Sequence, residues 1–332
     1  MQKDNIFLIS MKFFNLIQQH TIANEHLKLV TINHGASVQK LFFKDVNNQE
    51  INVVLGFKNP DDYLNNPAFI GNSIGRYAGR LKKGFTINGD YYPLYHEEGV
   101  HLHGGKEGFS AKNWEVEEIK NGENPFIKYT YYSKDGEEGY PGNLKVSVTY
   151  KLNGKSFIIF YEAETDKTTH LNLTNHNYYN LNGKGSVRNH CLKVNTNQFL
   201  EFTPDKLPSG NILNTTGTPY DFSKEEKLMD KKDFKGVDNC FLINNPEPVA
   251  TLYSESTGIE MKVKTNQPAI VIYTPQNLPA GNYNNSFSEF SSICFEAQGY
   301  PDAPNQPEFP STLLKKGEKY TNHSIFEFDI RS

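Results

Sequence analysis

The sequence predicts an all-β protein, a large antiparallel β-sandwich, and three observations carry that reading. First, 23 Phe and 19 Tyr stand against one Trp and four Met. Phe and Tyr favour a pleated, half-buried surface over a helix. Second, several runs alternate with period two. Val146, Val148, Tyr150 and Leu152 interleave with Lys145, Ser147, Thr149 and Lys151, and Ile259, Met261, Val263 and Phe326, Phe328, Ile330 repeat the pattern. Period two places one set on each face of a strand. Third, the runs are separated by Asx-Gly pairs at 88–89, 121–122, 135–136, 153–154 and 182–183. Both residues of such a pair tolerate positive φ, which tight hairpin turns demand.

In chain order, residues 1–23 read as an N-terminal extension or a first strand. Their apolar stretches are broken by Lys12, Asn15, Gln18 and Gln19. No small-residue cleavage site follows, and Met11 is an alternative start. Residues 85–94 read as a hairpin turning at Asn88-Gly89. Phe157-Ile158-Ile159-Phe160 reads as a strand buried on both faces. The sequence offers one short helix, over residues 223–229, capped by Ser223. No Pro-, Gly- or Ser-rich linker and no repeat divides the chain, so residues 24–332 are expected to form a single domain. At 332 residues and 37% hydrophobic, the chain has ample material for a core.

Charge narrows the function. A net charge of −4 with no run of five or six like charges argues against nucleic acid. No stretch of 18 apolar residues exists, so no membrane span is expected. Cys191, Cys240 and Cys294 form no CxxC pair, which suits a reduced, cytoplasmic setting. A monomer and a homodimer, paired through exposed edge strands, both remain open.

Four segments look unlike ordinary strands or turns. Residues 75–80 place Arg76 and Arg80 amid small residues. They suit either surface ion pairs or guanidinium forks towards substrate oxygens. His101-Leu102-His103-Gly104-Gly105 sets histidine beside glycines that let backbone approach a ligand. With Glu107 it has the His-x-His-x3-Glu spacing of a cupin metal motif. The flanking glycines of that motif are replaced by Tyr95 and Trp114, and no second histidine segment follows, so no metal is expected. Residues 172–181 place Asn172, Thr174, His176 and Tyr178 on one strand face, which suits a polar cleft better than a core. Finally, Glu296 alternates with Cys294 and Gln298 in an apolar strand. A carboxylate so placed has a raised pKa unless partnered, which suits a general base. Asp238, entering a strand, is similar. Nucleophile-elbow, phosphate-loop and dinucleotide motifs are absent. The set points to acid–base chemistry on a polyhydroxylated substrate.

In their order, these motifs resemble the aldose 1-epimerase, or galactose mutarotase, family. The matching landmarks include Gly75-Arg76 to Arg80, Leu102-His103-Gly104-Gly105, Tyr140-Pro141-Gly142, Leu173-Thr174-Asn175-His176, Val237-Asp238, Glu296-x-Gln298 and Pro301-Asp302-Ala303. The likeness runs from about residue 24 to the C-terminus. It implies a mutarotase-like β-supersandwich that interconverts α and β anomers of free aldohexoses, glucose or galactose, without metal or cofactor. It places the base at Glu296 and the acid at His176, with His103 polarising the ring oxygen. Arg80, Arg76, Asp238, Tyr178 and Tyr273 are expected to line the sugar. Ordinary pKa values, ~4.3 for Glu and ~6.5 for His, would leave Glu296 ionised and His176 able to donate at neutral pH. Gly79 and Asn239 stand where the family usually has Asn and His, and Pro275-Gln276-Asn277 is an unusual loop; these departures bear on sugar preference. Competing readings are a non-catalytic sugar-binding sandwich, an epimerase of hexose 6-phosphates, and a glycoside hydrolase using Glu296 and Asp238.

Overall fold

The computed structural model describes residues 17–231, 234–244 and 247–331. Most of the N-terminal stretch, including Met11, lies outside them. Strands dominate, and the helical elements are five 3-10 turns among the described residues. The main sheet has nine strands. Their order is Glu115–Lys120, Phe126–Ser133, Leu144–Asn153, Ser156–Thr165, Lys319–Ile330, Ile259–Thr265, Ala250–Ser254, His190–Val194 and Glu226–Lys227. A seven-stranded sheet runs Pro208–Asn214, Gln198–Phe202, Asp238–Leu242, Ala269–Tyr273, Ile293–Gln298, Tyr178–Tyr179 and Val54–Leu55. A four-stranded sheet, Gln19–Ala23 to Glu50–Asn52, and several two-stranded pieces complete the structure.

The alternating runs do what their period requires. Val146, Val148, Tyr150 and Leu152 are fully buried, while Lys145 faces water. They join Phe157, Met261, Val263, Phe326 and Phe328 in one apolar core. Burying each of these side chains contributes about 1.5–3 kcal/mol, so a strand slipped by one residue would forfeit the whole row. The hairpin is present as Gly84–Ile87 and Asp90–Pro93, turning at Asn88-Gly89 with φ of 52° and 91°.

Three expectations are corrected. Residues 223–229 form no helix. The Asp221 carboxylate accepts hydrogen bonds from the Ser223 N–H and hydroxyl, and the chain enters the short strand Glu226–Lys227 and the 3-10 turn Leu228–Asp230. Ser223 is thus consumed locally and caps nothing. In the apolar run, Phe157 and Ile159 are buried but Ile158 and Phe160 only half so, because that sheet face is not fully covered. Residues 172–181 are not one strand. Thr174–Asn175 pairs with Ser73–Ile74, and Tyr178–Tyr179 joins the seven-stranded sheet. The break between them falls at His176-Asn177.

Candidate active site

The seven-stranded sheet supplies the floor of the site, and its register explains which side chains meet. Asp238 pairs with Tyr273, Tyr273 with Cys294, and Cys294 with Tyr178. Residues directly opposite in adjacent strands share a face, so these four form one row. One step along, Val271 pairs with Glu296 and projects from that same face. The floor therefore carries Asp238, Tyr273, Cys294, Tyr178 and Glu296. His176, in the break just before Tyr178–Tyr179, lies over it, with its ring stacked on Tyr178 at 5.0 Å.

Arg80 and His103 come from elsewhere. Arg80 begins the strand Arg80–Lys82, which pairs with Val100–Leu102 so that Arg80 faces Leu102. The chain then turns at His103, with φ of 48°. A Cβ on Gly104 would run into the Gly75 carbonyl oxygen, so only glycine lets this loop press against that backbone. The turn sets the His103 ring 5.3 Å from that of His176. Phe69, also at positive φ (55°), packs edge-on against His103 at 4.9 Å. Together these residues line a pocket of about 320 Å³, the size of a small ligand rather than a polymer.

Within the pocket, His176 Nε2 lies 3.5 Å from Glu296 Oε1. The other ring nitrogen, Nδ1, is 3.6 Å from the Cys294 sulfur. Glu296 is 2% exposed, and its Oε2 has no partner among the described residues. Loss of water pushes its pKa up from 4.5 to about 8; the nearby Asp238 charge adds to this and Arg80 opposes it. The raised pKa follows from a carboxyl in an apolar strand. Ionisation at neutral pH, expected from the ordinary Glu value, does not: the buried carboxyl holds its proton. Burial likewise lowers His176 from 6.5 to about 4, with its own backbone and Asp238 resisting. His103 falls well below the ordinary value, through burial first and then the neighbouring His176 and Arg80.

The tautomer of His103 is set by its surroundings. The Gly79 N–H donates to His103 Nδ1 at 3.2 Å, so the ring proton resides on Nε2, the nitrogen left for the pocket. His103 is therefore a donor towards anything bound. This also decides the metal question on chemistry. His103, His176 and Glu296 offer atoms within 4.8 Å of one another, as a two-histidine, one-carboxylate site would. Ligation needs a free lone pair on Nε2, which would drive the proton onto Nδ1, against the Gly79 N–H. The set does not fit a metal. The His-x-His-x3-Glu pattern does not assemble either. His101 is bound through Nδ1 to the Tyr95 carbonyl (2.6 Å) and through Nε2 to the Tyr140 hydroxyl (2.7 Å).

Of the residues singled out, Glu296, His176, His103, Arg80, Asp238, Tyr178 and Tyr273 all line the pocket. Arg76 does not, and this is a correction. Its guanidinium donates to the Ser133 hydroxyl (2.8 Å) and to the carbonyls of Ser133, Lys134 and Pro141 (3.0, 2.9 and 3.1 Å). It is 2% exposed and welds residues 133–141 to the 75–80 segment. Among the pocket residues that escaped the sequence reading, two matter most. Phe69 carries no polar signal, and its left-handed backbone is invisible in the letters. Lys206 looks like any surface lysine; a turn over 203–207, closed by the Thr203 N–H donating to Leu207 O (2.8 Å), aims it at Asp238. Lys206 Nζ is 3.2 Å, and an Arg80 amine 3.9 Å, from the same Asp238 oxygen.

The aldose 1-epimerase family model matches residues 18–327. The chain belongs to the aldose 1-epimerase family. It is 34% identical over 327 residues to galactose mutarotase of Bos taurus, covering 95% of this chain and 94% of the relative. It is 36% identical over 301 residues to aldose 1-epimerase of Haemophilus influenzae, covering 85% and 87%. Among solved structures, the GalM/aldose epimerase homologue from C. elegans superposes with a TM-score of 0.88 at 29% identity, over 96% of this chain and all of that one. Galactose 1-epimerase from Lactobacillus acidophilus gives 0.84 at 26%, over 95% of each. The aldose 1-epimerase fold is thus the fold of this chain, and the protein is an isomerase. No helix among the described residues is long and apolar enough to cross a membrane.

Proposed function

We propose that this isomerase interconverts the α and β anomers of free aldohexoses such as galactose and glucose, with Glu296 and His176 exchanging protons with the sugar. The observation that carries the reading is the 3.5 Å approach of His176 Nε2 to Glu296 Oε1 on a buried floor. With the carboxyl pKa near 8 and the imidazole near 4, the pair holds one proton at neutral pH. One proton is the number this reaction needs. On the imidazole it makes an ion pair: Glu296 accepts the proton of the C1 hydroxyl, the C1–O5 bond breaks, and His176 protonates O5. The product is the open-chain aldehyde beside a neutral pair. C1 turns about its bond to C2, and the steps reverse on the other face.

Burial supports this direction of travel. Ring opening turns two buried charges into none, and a desolvated site favours the neutral pair. His103 donates from Nε2 to a sugar oxygen, while Asp238 and Arg80 hold hydroxyls. Tyr178 and Tyr273 offer ring faces and hydroxyl tips.

Gly79 and Asn239 both line the pocket and so bear on which sugar it prefers. A Cβ on Gly79 would point at Gln298 Nε2 and the Pro301 ring, 3.1–3.3 Å away. Asn239 lines the pocket, with its carbonyl oxygen held by the Cys240 N–H at 2.7 Å. Polarimetry of α-galactose and α-glucose tests the proposal. Purified protein accelerates mutarotation, and Glu296→Gln slows it by about 10²-fold or more, as loss of an acid–base partner does. Sugar binding without acceleration would make this a binding protein instead.

A further inference from the structure

The two pocket histidines need opposite tautomers. His103 carries its ring proton on Nε2, because the Gly79 N–H donates to Nδ1. For His176 the requirement is reversed. A proton can pass between Glu296 Oε1 and His176 Nε2, 3.5 Å apart, only if Nε2 of the neutral ring has a free lone pair. The ring's own proton then sits on Nδ1, and a buried N–H needs an acceptor. Among the described residues, the one side chain within hydrogen-bonding distance of Nδ1 is Cys294, whose sulfur lies 3.6 Å away.

The other neighbours of His176 do not choose the tautomer. Its backbone N–H donates to the Asn72 carbonyl (2.9 Å), and its carbonyl accepts from the Gly71 N–H (3.0 Å). The ring stacks on Tyr178 with 23° between the planes. Stacking fixes the plane only. A half-turn of the ring about its bond to Cβ would keep that plane and put carbon where each nitrogen now stands. His103 and Tyr273 meet the ring edge-on at 5.3 and 6.3 Å, and Asp238 acts on it through charge.

Cys294 is fully buried, and His176 covers it, so it takes no place in the pocket lining. Leu55, Phe57 and Tyr178 share its apolar cluster. Burial first, and then the charges of Glu296 and Asp238, hold its thiol well above the ordinary pKa, so the sulfur stays neutral. A neutral sulfur is a weak acceptor. It can direct the Nδ1 proton without holding the imidazolium as a carboxylate would, which leaves the ring pKa at about 4.

We propose that Cys294 is a positioning residue: its sulfur accepts the Nδ1–H of His176 and so keeps Nε2 free to take and return the proton shared with Glu296. The proposal rests on the mutarotase reading and adds to it a residue that never touches the sugar.

Two measurements test it. NMR of protein carrying isotope-labelled histidine reads the tautomers, with His176 and His103 signals assigned by their loss in the alanine variants. Polarimetry of α-galactose and α-glucose reads the rate. In wild type at neutral pH, His176 should show a protonated Nδ1 and a bare Nε2, and His103 the reverse. Cys294→Ala should mix the His176 tautomers and lower kcat by about tenfold with KM little changed, thermal melts confirming folded protein. Cys294→Ser keeps an acceptor, so the tautomer and most of kcat should return. Its stronger acceptor oxygen should also move the acid limb of the pH profile up from about 4. A proton on Nε2 of wild-type His176 overturns the proposal, and that result needs no variant to fold. So does a kcat that Cys294→Ala leaves unchanged, or that the Ala and Ser variants lower alike, which is packing alone. If wild type accelerates neither sugar, the mutarotase reading fails and the positioning role with it, whatever the tautomer.

Discussion

Replacing Glu296 by Gln should stabilise the protein, and increasingly so as the pH rises. The unfolded chain releases the Glu296 proton near 4.5, whereas the folded protein holds it to about 8. Between those values the unfolded state binds fewer protons than the folded one, so stability contributed by this group falls with rising pH. It is fully present below pH 4.5 and fully lost above about 8. The amide introduced by Glu296→Gln would mimic the protonated carboxyl at every pH. Each unit of separation is worth about 1.4 kcal/mol, giving a variant more stable than wild type by about 3 kcal/mol at pH 7 and about 5 kcal/mol at pH 9, with no difference at pH 4. The buried histidines lose stability as the pH falls, but they are common to both proteins and cancel in the difference. Parallel urea melts at pH 4, 7 and 9 read it directly, as midpoint shifts at constant slope. If the two proteins keep the same difference at all three pH values, the carboxyl is ionised in the folded state. The one-proton account of the dyad is then wrong.

Other outcomes follow from the same geometry. The pH profile of kcat/KM should have an acid limb near 4, where His176 takes a second proton and no base remains. Its alkaline limb should lie near 8, where Glu296 loses the only proton; an alkaline limb near ~6.5, the ordinary histidine value, would refute this. His176→Ala and His103→Ala should each lower kcat/KM by about 10²-fold by polarimetry, with thermal melts confirming folded protein. Arg76→Met should cost about 2–4 kcal/mol of stability, because it leaves the buried carbonyls of Ser133, Lys134 and Pro141 unpaired. KM for galactose should not move in that variant, and a raised KM would return Arg76 to the sugar site.

What was legible in the sequence had local causes. The alternation of Val146 to Leu152 and the Asn88-Gly89 turn are settled by neighbours in the chain. So is the perturbed Glu296, because three consecutive strand residues already declare its surroundings apolar. What stayed hidden depends on distant partners. Arg76 and Arg80 look alike as letters; only the carbonyls of residues 133–141 draw one guanidinium inward and leave the other at the pocket. His101 and His103 separate in the same way, one claimed by Tyr95 and Tyr140, the other fixed as a donor by Gly79. The helix expected at 223–229 failed because Asp221, two residues before Ser223, took the groups Ser223 needed. Lys206 was invisible because nothing in its composition distinguishes a lysine that a left-handed turn aims inward.

The strand Lys319–Ile330 lies between Ser156–Thr165 and Ile259–Thr265, and it alone joins the two halves of the nine-stranded sheet. From it, the Asn322 amide donates to the Leu173 carbonyl at 2.7 Å and to the Ala297 carbonyl at 3.0 Å, tying the segment before His176 to the strand that carries Glu296. A nascent chain on the ribosome therefore holds every candidate catalytic side chain before it can align them, since Glu296 precedes Lys319 by 23 residues. Until the ribosome has released residues 319–330, two unpaired sheet edges stand open, and they invite association with other nascent chains. Alignment of the proposed proton-transfer pair and protection from aggregation should thus arrive together, when residues 319–330 dock between their two neighbours.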